Sequence, residues 1–325
     1  MAWFQKSEVV IAGILVLAMI LIGLVNPAFW SLDNMFSLLR SNVIIGIMAL
    51  GVLLVMISGG IDVSFPAFAV AAMYLTIKAM IWFNYDGVFL PFVAAATMGA
   101  LFGCLNAFFV YKFRMIPLIV TLGTGSMVRG FLLGVVGTSM ININKMPDAL
   151  IDFGKSDIIN MVKPDGTTYG LTAMILVYVG LAVALHLVLR HTMIGRGVYA
   201  LGGDPEAASR VGFNIRKITF FIYCVAGALA GFAGLLHSGM IWLANPRDFV
   251  GLELDVIAAV VLGGASIFGG RGSVLGTMLG VFMLVMVKNS LIIMKIDTTW
   301  QRVVVGVIIV IATAITAWRD RRANA

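Results

Sequence analysis

The chain has 325 residues, of which 61% are hydrophobic and only 11% charged, with a net charge of +7 and a mean hydropathy of +1.05. A soluble domain keeps about a quarter of its residues charged, so this composition excludes a water-solvated fold and points to an all-α membrane protein. The basic excess belongs to cytoplasmic loops of such a protein, not to a nucleic-acid surface.

Apolar runs fall at 8–25, 42–58, 66–83, 88–110, 116–137, 170–189, 215–237, 251–268, 273–293 and 300–318. At about 20 residues per crossing they make about ten transmembrane helices in a single transmembrane domain, solvated by membrane lipid. No small-residue cleavage site follows the first run, which reads as a retained helix. The run at 251–268 is the most broken by glycine. Cys104 and Cys224 both lie inside apolar runs and read as packing residues, not as a disulfide or metal site.

Lysine and arginine placement orients the bundle. With the N-terminus inside, twelve of the 22 basic residues fall on inner segments, chiefly in 190–217 and the tail, and six on outer ones, Arg40 among them. That asymmetry predicts both termini in the cytoplasm. Two connections exceed ordinary loop length. The outer one, 138–169, carries Asp148, Asp152, Asp157 and Asp165 beside Lys145, Lys155 and Lys163. The inner one, 190–214, has the grammar of a short capped helix. Gly202 and Gly203 break the chain, Asp204 caps, Pro205 takes the first helical position, and Glu206, Ala207, Ala208, Ser209 and Arg210 follow. Gly212 ends it as a residue that accepts a left-handed conformation. Such a knob suits a grip from the cytoplasm, and equally an ordinary surface helix.

Paired glycines mark two further turns at inner helix ends. One is Ser58-Gly59-Gly60-Ile61-Asp62-Val63-Ser64; the other runs from Gly263-Gly264 through Gly269-Gly270 to Ser273. Their matched positions predict two pseudo-repeated halves, and interrupted helices at matched positions often flank a pathway. Neither is a nucleotide loop, since no G-x-x-x-x-G-K-[ST] occurs, so the chain carries no ATPase motif and no catalytic, cofactor or metal residues are assigned to it. Gly99-x₃-Gly103, Gly227-x₃-Gly231 and Gly272-x₃-Gly276-x₃-Gly280 allow close helix contacts. Arg129, Asp255 and Lys288 are expensive to leave unpaired in lipid, and Asp255 is expected to pair with Arg129 or Lys288. Lys78 is expected to snorkel to the interface beside Trp82. Asn42, Asn106, Phe65, Phe68 and Trp242 are the polar and aromatic candidates for lining a solute pathway.

Taken together, Ser58–Ser64, Arg129-Gly130, the segment GRGVYALGGDPEAASRVGFN at 195–214 and ELDVIAAVVLGGASIFGGRGS at 253–273 resemble the ribose/galactose-type permease subunits of bacterial ABC importers. The resemblance spans nearly the whole chain. It implies an inner-membrane permease for a monosaccharide or related polyol, working by alternating access. Its partners would be a second permease subunit, identical or sister, a cytoplasmic ABC ATPase that holds ATP and magnesium, and a periplasmic sugar-binding protein. It also implies that the segment around Gly195, Arg196, Gly202, Asp204–Ala208, Arg210 and Gly212 is the loop the ATPase grips. The family usually continues its GGID turn with Val-Gly, where this chain has Phe65-Pro66. A branched-chain amino-acid type permease shares the general plan. An ion-coupled secondary transporter would need acidic groups placed at mid-membrane, and none stands out.

Overall fold

The computed structural model describes residues 7–163 and 166–294, with Asp297, Trp300, Val303, Gly306, Val307 and Val310. Most of the helix expected at 300–318 lies outside the described residues; Trp300, Val303, Gly306, Val307 and Val310, which are described, are helical. Among the described residues, eight helices are long and apolar enough to cross a membrane.

The bundle is built around a post. Helix α2, Leu32–Ile57, is capped by Ser31, whose hydroxyl accepts from the Asn34 amide at 3.3 Å. It therefore begins ten residues before the apolar run that announced it, because its first turns are polar. Arg40 lies inside this helix and donates to the Met240 carbonyl at 2.9 Å, which corrects its placement on an outer loop. From Ala49 to Ile57 every α2 side chain is buried. A helix apolar all round can be enclosed all round. α7 (Met174–His191), α10 (Ile215–Ile241) and α12 (Val274–Ile293) pack against it, and α3 (Phe65–Trp82) packs in turn on α10. α1 (Ser7–Val25) lies outside, against α12, with only Ile11 and Leu15 of its apolar side chains buried, as a lipid-facing helix requires.

The tightest contact joins α10 to α4, Phe89–Phe113. The two glycine pairs read from the sequence meet each other there. A Cβ on Gly99 would stand 2.1 Å from the Gly227 carbonyl oxygen, and a Cβ on Gly227 would stand 2.1 Å from that of Gly99. Gly103 meets Tyr223 and Gly231 meets Ala95 in the same way. The contact is main chain against main chain, the arrangement small residues permit in lipid.

α11, Leu252–Leu262, corrects the run expected at 251–268. Eleven residues rise about 16 Å, half of the roughly 30 Å hydrocarbon core. Gly263 and Gly264 end the helix, and the rest of that apolar run, Ala265–Phe268, folds back as a loop in which the Ser266 amide donates to the Arg271 carbonyl at 3.0 Å. Asp255 and Gly276–Gly280 bind this half-helix to α12.

The fold is also not purely α. Strands β1 (Ile141–Asn142) and β4 (Leu243–Ala244) pair antiparallel, as do β2 (Asp157–Val162) and β3 (Thr168–Thr172). The β2–β3 ribbon and a short helix α6, Asp148–Lys155, fill the connection expected as a loop at 138–169. Lys163 ties the ribbon to the start of α2 through Asp33 at 2.7 Å. α5, Pro117–Phe131, widens into a π turn at Leu132–Val136. Lys78 donates to the Val136 carbonyl at the end of that turn, so it satisfies a frayed helix end instead of snorkelling.

Candidate functional site: a glycine junction and a mid-bundle cleft

At the end of the bundle opposite the β2–β3 ribbon, Thr192 caps α8, Met193–Gly203, and Asp204 caps α9, Pro205–Arg210. Asp204 Oδ1 accepts from the Glu206 and Ala207 amides at 2.9 and 3.0 Å. Gly212, at φ +93°, closes α9, with the Phe213 amide returning to the Ala208 carbonyl at 3.1 Å. Only Ala208 of α9 is buried; Asp204, Pro205, Glu206, Ala207 and Arg210 are exposed, as is Arg196. Glu206 and Arg210 face each other at 3.5 Å across one turn in full solvent, a pair worth at most about 1 kcal/mol. Gly195 is buried, because α8 doubles back so closely that a Cβ there would stand 2.3 Å from the Val188 carbonyl oxygen.

The turns after α2 and α11 share one geometry. Gly59 (φ +83°) donates to Met56 and Gly60 to Val55; Gly264 (φ +85°) donates to Val261 and Ala265 to Val260. Both are the glycine-terminated cap in which a left-handed residue lets two amides reach back to the last helical carbonyls.

Three glycine segments, far apart in sequence, then close on one point. The Gly270 amide donates to the Ile57 carbonyl at 2.8 Å. A Cβ on Gly202 would stand 1.8 Å from that same Ile57 oxygen and 2.6 Å from the Gly270 nitrogen, and a Cβ on Gly269 would stand 2.5 Å from the Gly202 oxygen and 2.9 Å from the Gly59 backbone. Tyr199 of α8 adds a hydrogen bond to the Gly272 carbonyl at 2.8 Å. The end of α8, the α2–α3 turn and the α11–α12 loop thus share one backbone junction. Sequence reasoning singled out each glycine cluster but not their meeting, and it missed Tyr199.

Beside the junction, a cavity of about 600 Å³ opens among Ser58, Gly60, Tyr111, Arg114, Glu206 and Tyr223. Above the α2–α3 turn, Asp62 is buried and its Oδ1 accepts from the Ser64 amide and hydroxyl at 2.7 and 2.6 Å. Burial raises this carboxyl above the usual value, against the pull of the Ser64 donors. Asn106 donates to Ser64 Oγ at 2.8 Å and accepts from Thr124 at 2.6 Å. This buried polar chain ties the turn to α4 and α5, so Asn106 is a structural residue. Asn42, Phe65 and Phe68 are buried in the core too, and Trp242 packs under Lys155.

On the other side of that polar chain, a cleft of about 480 Å³ runs between α5, the start of α3 and the first turn of α11. Its α5 wall is the stripe Leu118, Thr121, Leu122, Gly125, Ser126 and Arg129, the spacing of one helical face. Val250, Glu253 and Leu254 stand opposite. The three intramembrane ions separate here. Lys288 pairs with Asp255 at 2.5 Å, whereas Arg129 pairs with neither. Residues two apart on a helix point about 200° away from each other, so Asp255 faces α12 while Glu253 faces the cleft. Arg129 is half-buried, and its Nη1 is buried without a hydrogen-bond partner.

Eight helices long and apolar enough to cross a membrane, among the described residues, around a largely apolar cleft that carries Arg129 and Glu253, define a multi-pass membrane protein. The chain belongs to the family described as branched-chain amino acid transport system / permease component, whose model matches residues 34–313. It is 31% identical to the ribose import permease protein RbsC of Escherichia coli over 319 residues, covering 97% of this chain and 94% of that one. It is 33% identical to RbsC of Bacillus subtilis over 311 residues, with 96% and 92% covered. The fructose import permease protein FrcC of Rhizobium meliloti is 32% identical over 309 residues, with 94% and 84% covered. No solved structure matches the chain.

Proposed function

We propose that this permease serves an ATP-driven, binding-protein-dependent importer of a monosaccharide or related polyol in the inner membrane of a bacterium. The relatives named for ribose and fructose support the sugar class over the amino acids of the family description. The α8–α9 end faces the cytoplasm, where an ABC ATPase holding ATP and magnesium grips α9. The ribbon end faces the periplasm and receives the binding protein. A second permease, identical or sister, completes the pathway along the cleft. Both termini are cytoplasmic, ten membrane segments include α11 as a half-crossing and 300–318 as the last, and the two glycine-capped turns are equivalent points of two pseudo-repeated halves.

The observation that carries this reading is the backbone junction of Gly59, Gly202, Gly269 and Gly270. It joins the exposed knob to the α2–α3 turn, whose Val63 lines the cleft, and to the loop at the far end of the half-helix whose first turn faces the cleft, so a push on α9 reaches the pathway without passing through flexible side chains. Asp255 is neutralised by Lys288, which counts against it as the coupling group of an ion-coupled mechanism. The test is reconstitution with the ATPase and loaded binding protein over a panel of sugars, polyols and branched-chain amino acids. Glu206→Ala/Arg210→Ala leaves the protein folded but uncouples ATP hydrolysis from uptake. Unchanged uptake in that variant, or stimulation by amino acids alone, sinks the proposal.

A further inference from the structure

The cleft holds two charges that do not neutralise each other directly. Arg129 on α5 and Glu253 on α11 both line it, with no ion-pair contact between them within 4.0 Å among the described residues. Their neighbours leave them for a ligand. Asp255, the other acid of α11, is taken by Lys288 on the far face. Arg129 Nη1 is buried with no acceptor, which is costly for a guanidinium, whose five N–H groups all seek partners. The rest of the lining is apolar, apart from Thr121 and Ser126. Thr121 is committed, with its hydroxyl accepting from the Val63 amide at 3.2 Å and reaching the Ile61 carbonyl at 3.3 Å. The free polar groups of the cleft are thus a fixed donor on one wall, a fixed acceptor on the other, and the Ser126 hydroxyl one helical turn from Arg129.

We infer that Arg129 and Glu253 form a split donor–acceptor pair that a neutral polyhydroxylated ligand bridges, and that the pair sets the charge selectivity of the cleft. This rests on the importer reading given above. A hydroxyl both donates and accepts, so two hydroxyls of one sugar satisfy guanidinium and carboxylate together. An anion gains Arg129 but meets Glu253. A cation meets the reverse. A zwitterionic amino acid could meet both charges, yet its apolar side chain would leave Ser126 unpaired. The cleft, at about 480 Å³, falls within the size range of small-molecule sites, about 300–1,000 Å³.

The test reads occupancy of the cleft without the binding protein. Leu122→Cys, made in a Cys104→Ala/Cys224→Ala background, places a reporter thiol on the exposed cleft wall one helical turn from Ser126, whose hydroxyl stays in place. Its modification by a membrane-impermeant methanethiosulfonate is timed in proteoliposomes with ribose, fructose, leucine or ribonate present. Ribose or fructose slows modification, and ribonate and leucine do not. In Arg129→Gln and in Glu253→Gln the sugar concentration needed for protection rises about tenfold or more, the loss of one charged hydrogen bond. Glu253→Gln also gains protection by ribonate, a change of selectivity that a merely structural role for Glu253 would not produce. Sugar protection unaltered in both variants overturns the inference, and so does protection by leucine alone. If the reconstituted importer takes up sugars while the reporter thiol is never protected, the split pair is wrong and the importer reading stands. If it takes up no sugar, the importer reading itself has failed.

Discussion

Alanine at Gly202 is the sharpest probe of the glycine junction. Its methyl carbon would lie 1.8 Å from the Ile57 carbonyl oxygen, where ordinary contact begins at 3.4 Å, so the two backbones must part by about 1.6 Å. That separation breaks the 2.8 Å bond from the Gly270 amide to Ile57, which occupies the same spot. Overpacking costs about 1–3 kcal/mol and an orphaned buried amide about 1–3 more, while alanine returns about 1 kcal/mol of helix propensity to α8. The net loss is about 1–5 kcal/mol. The adjacent Gly203 is the control. Nothing lies within 4 Å of a Cβ there, and its φ is ordinary, so Gly203→Ala should be neutral or slightly stabilising. Unfolding in detergent measures the stability difference, and ATP-coupled uptake in proteoliposomes measures the coupling. If Gly202→Ala matches Gly203→Ala in both assays, the junction neither holds the three segments together nor transmits motion between them.

Lys288→Met strands the half-buried Asp255 carboxylate and should cost about 3–5 kcal/mol, most of it recovered when Asp255→Leu is added; a double variant as unstable as the single one would show that the pair is not coupled. Asp204→Ala removes the acceptor for two amides and should cost about 0.5–2 kcal/mol, seen as faster hydrogen exchange confined to 205–210. Asp62→Asn keeps an oxygen for Ser64 without the ionisable group. Burial raises the Asp62 pKa on folding, so the native state holds a proton that the unfolded chain releases, and wild-type stability falls as pH rises from the usual carboxylate value through the raised one. The variant should lose that fall, and equal slopes for the two proteins in pH-resolved unfolding would contradict it.

Much of the bundle is written in the apolar runs, and the knob in its cap residues. Asp204, Pro205 and Gly212 each act through local backbone chemistry, which needs no knowledge of the rest of the fold. The start of α2 was illegible for the opposite reason. Its polar first turns, with Asp33, Asn34 and Arg40, look like loop, and contacts such as Arg40 with Met240 hold them as helix. The length of α11 was hidden by Ala265–Phe268, apolar residues that continue the run after the backbone has turned. The partition of the ions was half legible. Their burial could be foreseen, but whether Asp255 meets Arg129 or Lys288 depends on which way α11 is rotated. Nothing local to Glu253 says that it shares a cleft with Arg129.

The α4–α10 contact has a use beyond holding the bundle together. Because carbonyl oxygens and glycine carbons touch along Gly99, Gly103, Gly227 and Gly231, no rotamer change can absorb a shift between these helices. The pair is therefore a fiducial. Spin labels on the exposed α4 positions Leu101 and Leu105, measured against labels on α10, should report a fixed distance throughout the transport cycle. Distances from that same pair to α5, α8 and α11 then give each moving element its own displacement, on a ruler that the protein carries within itself.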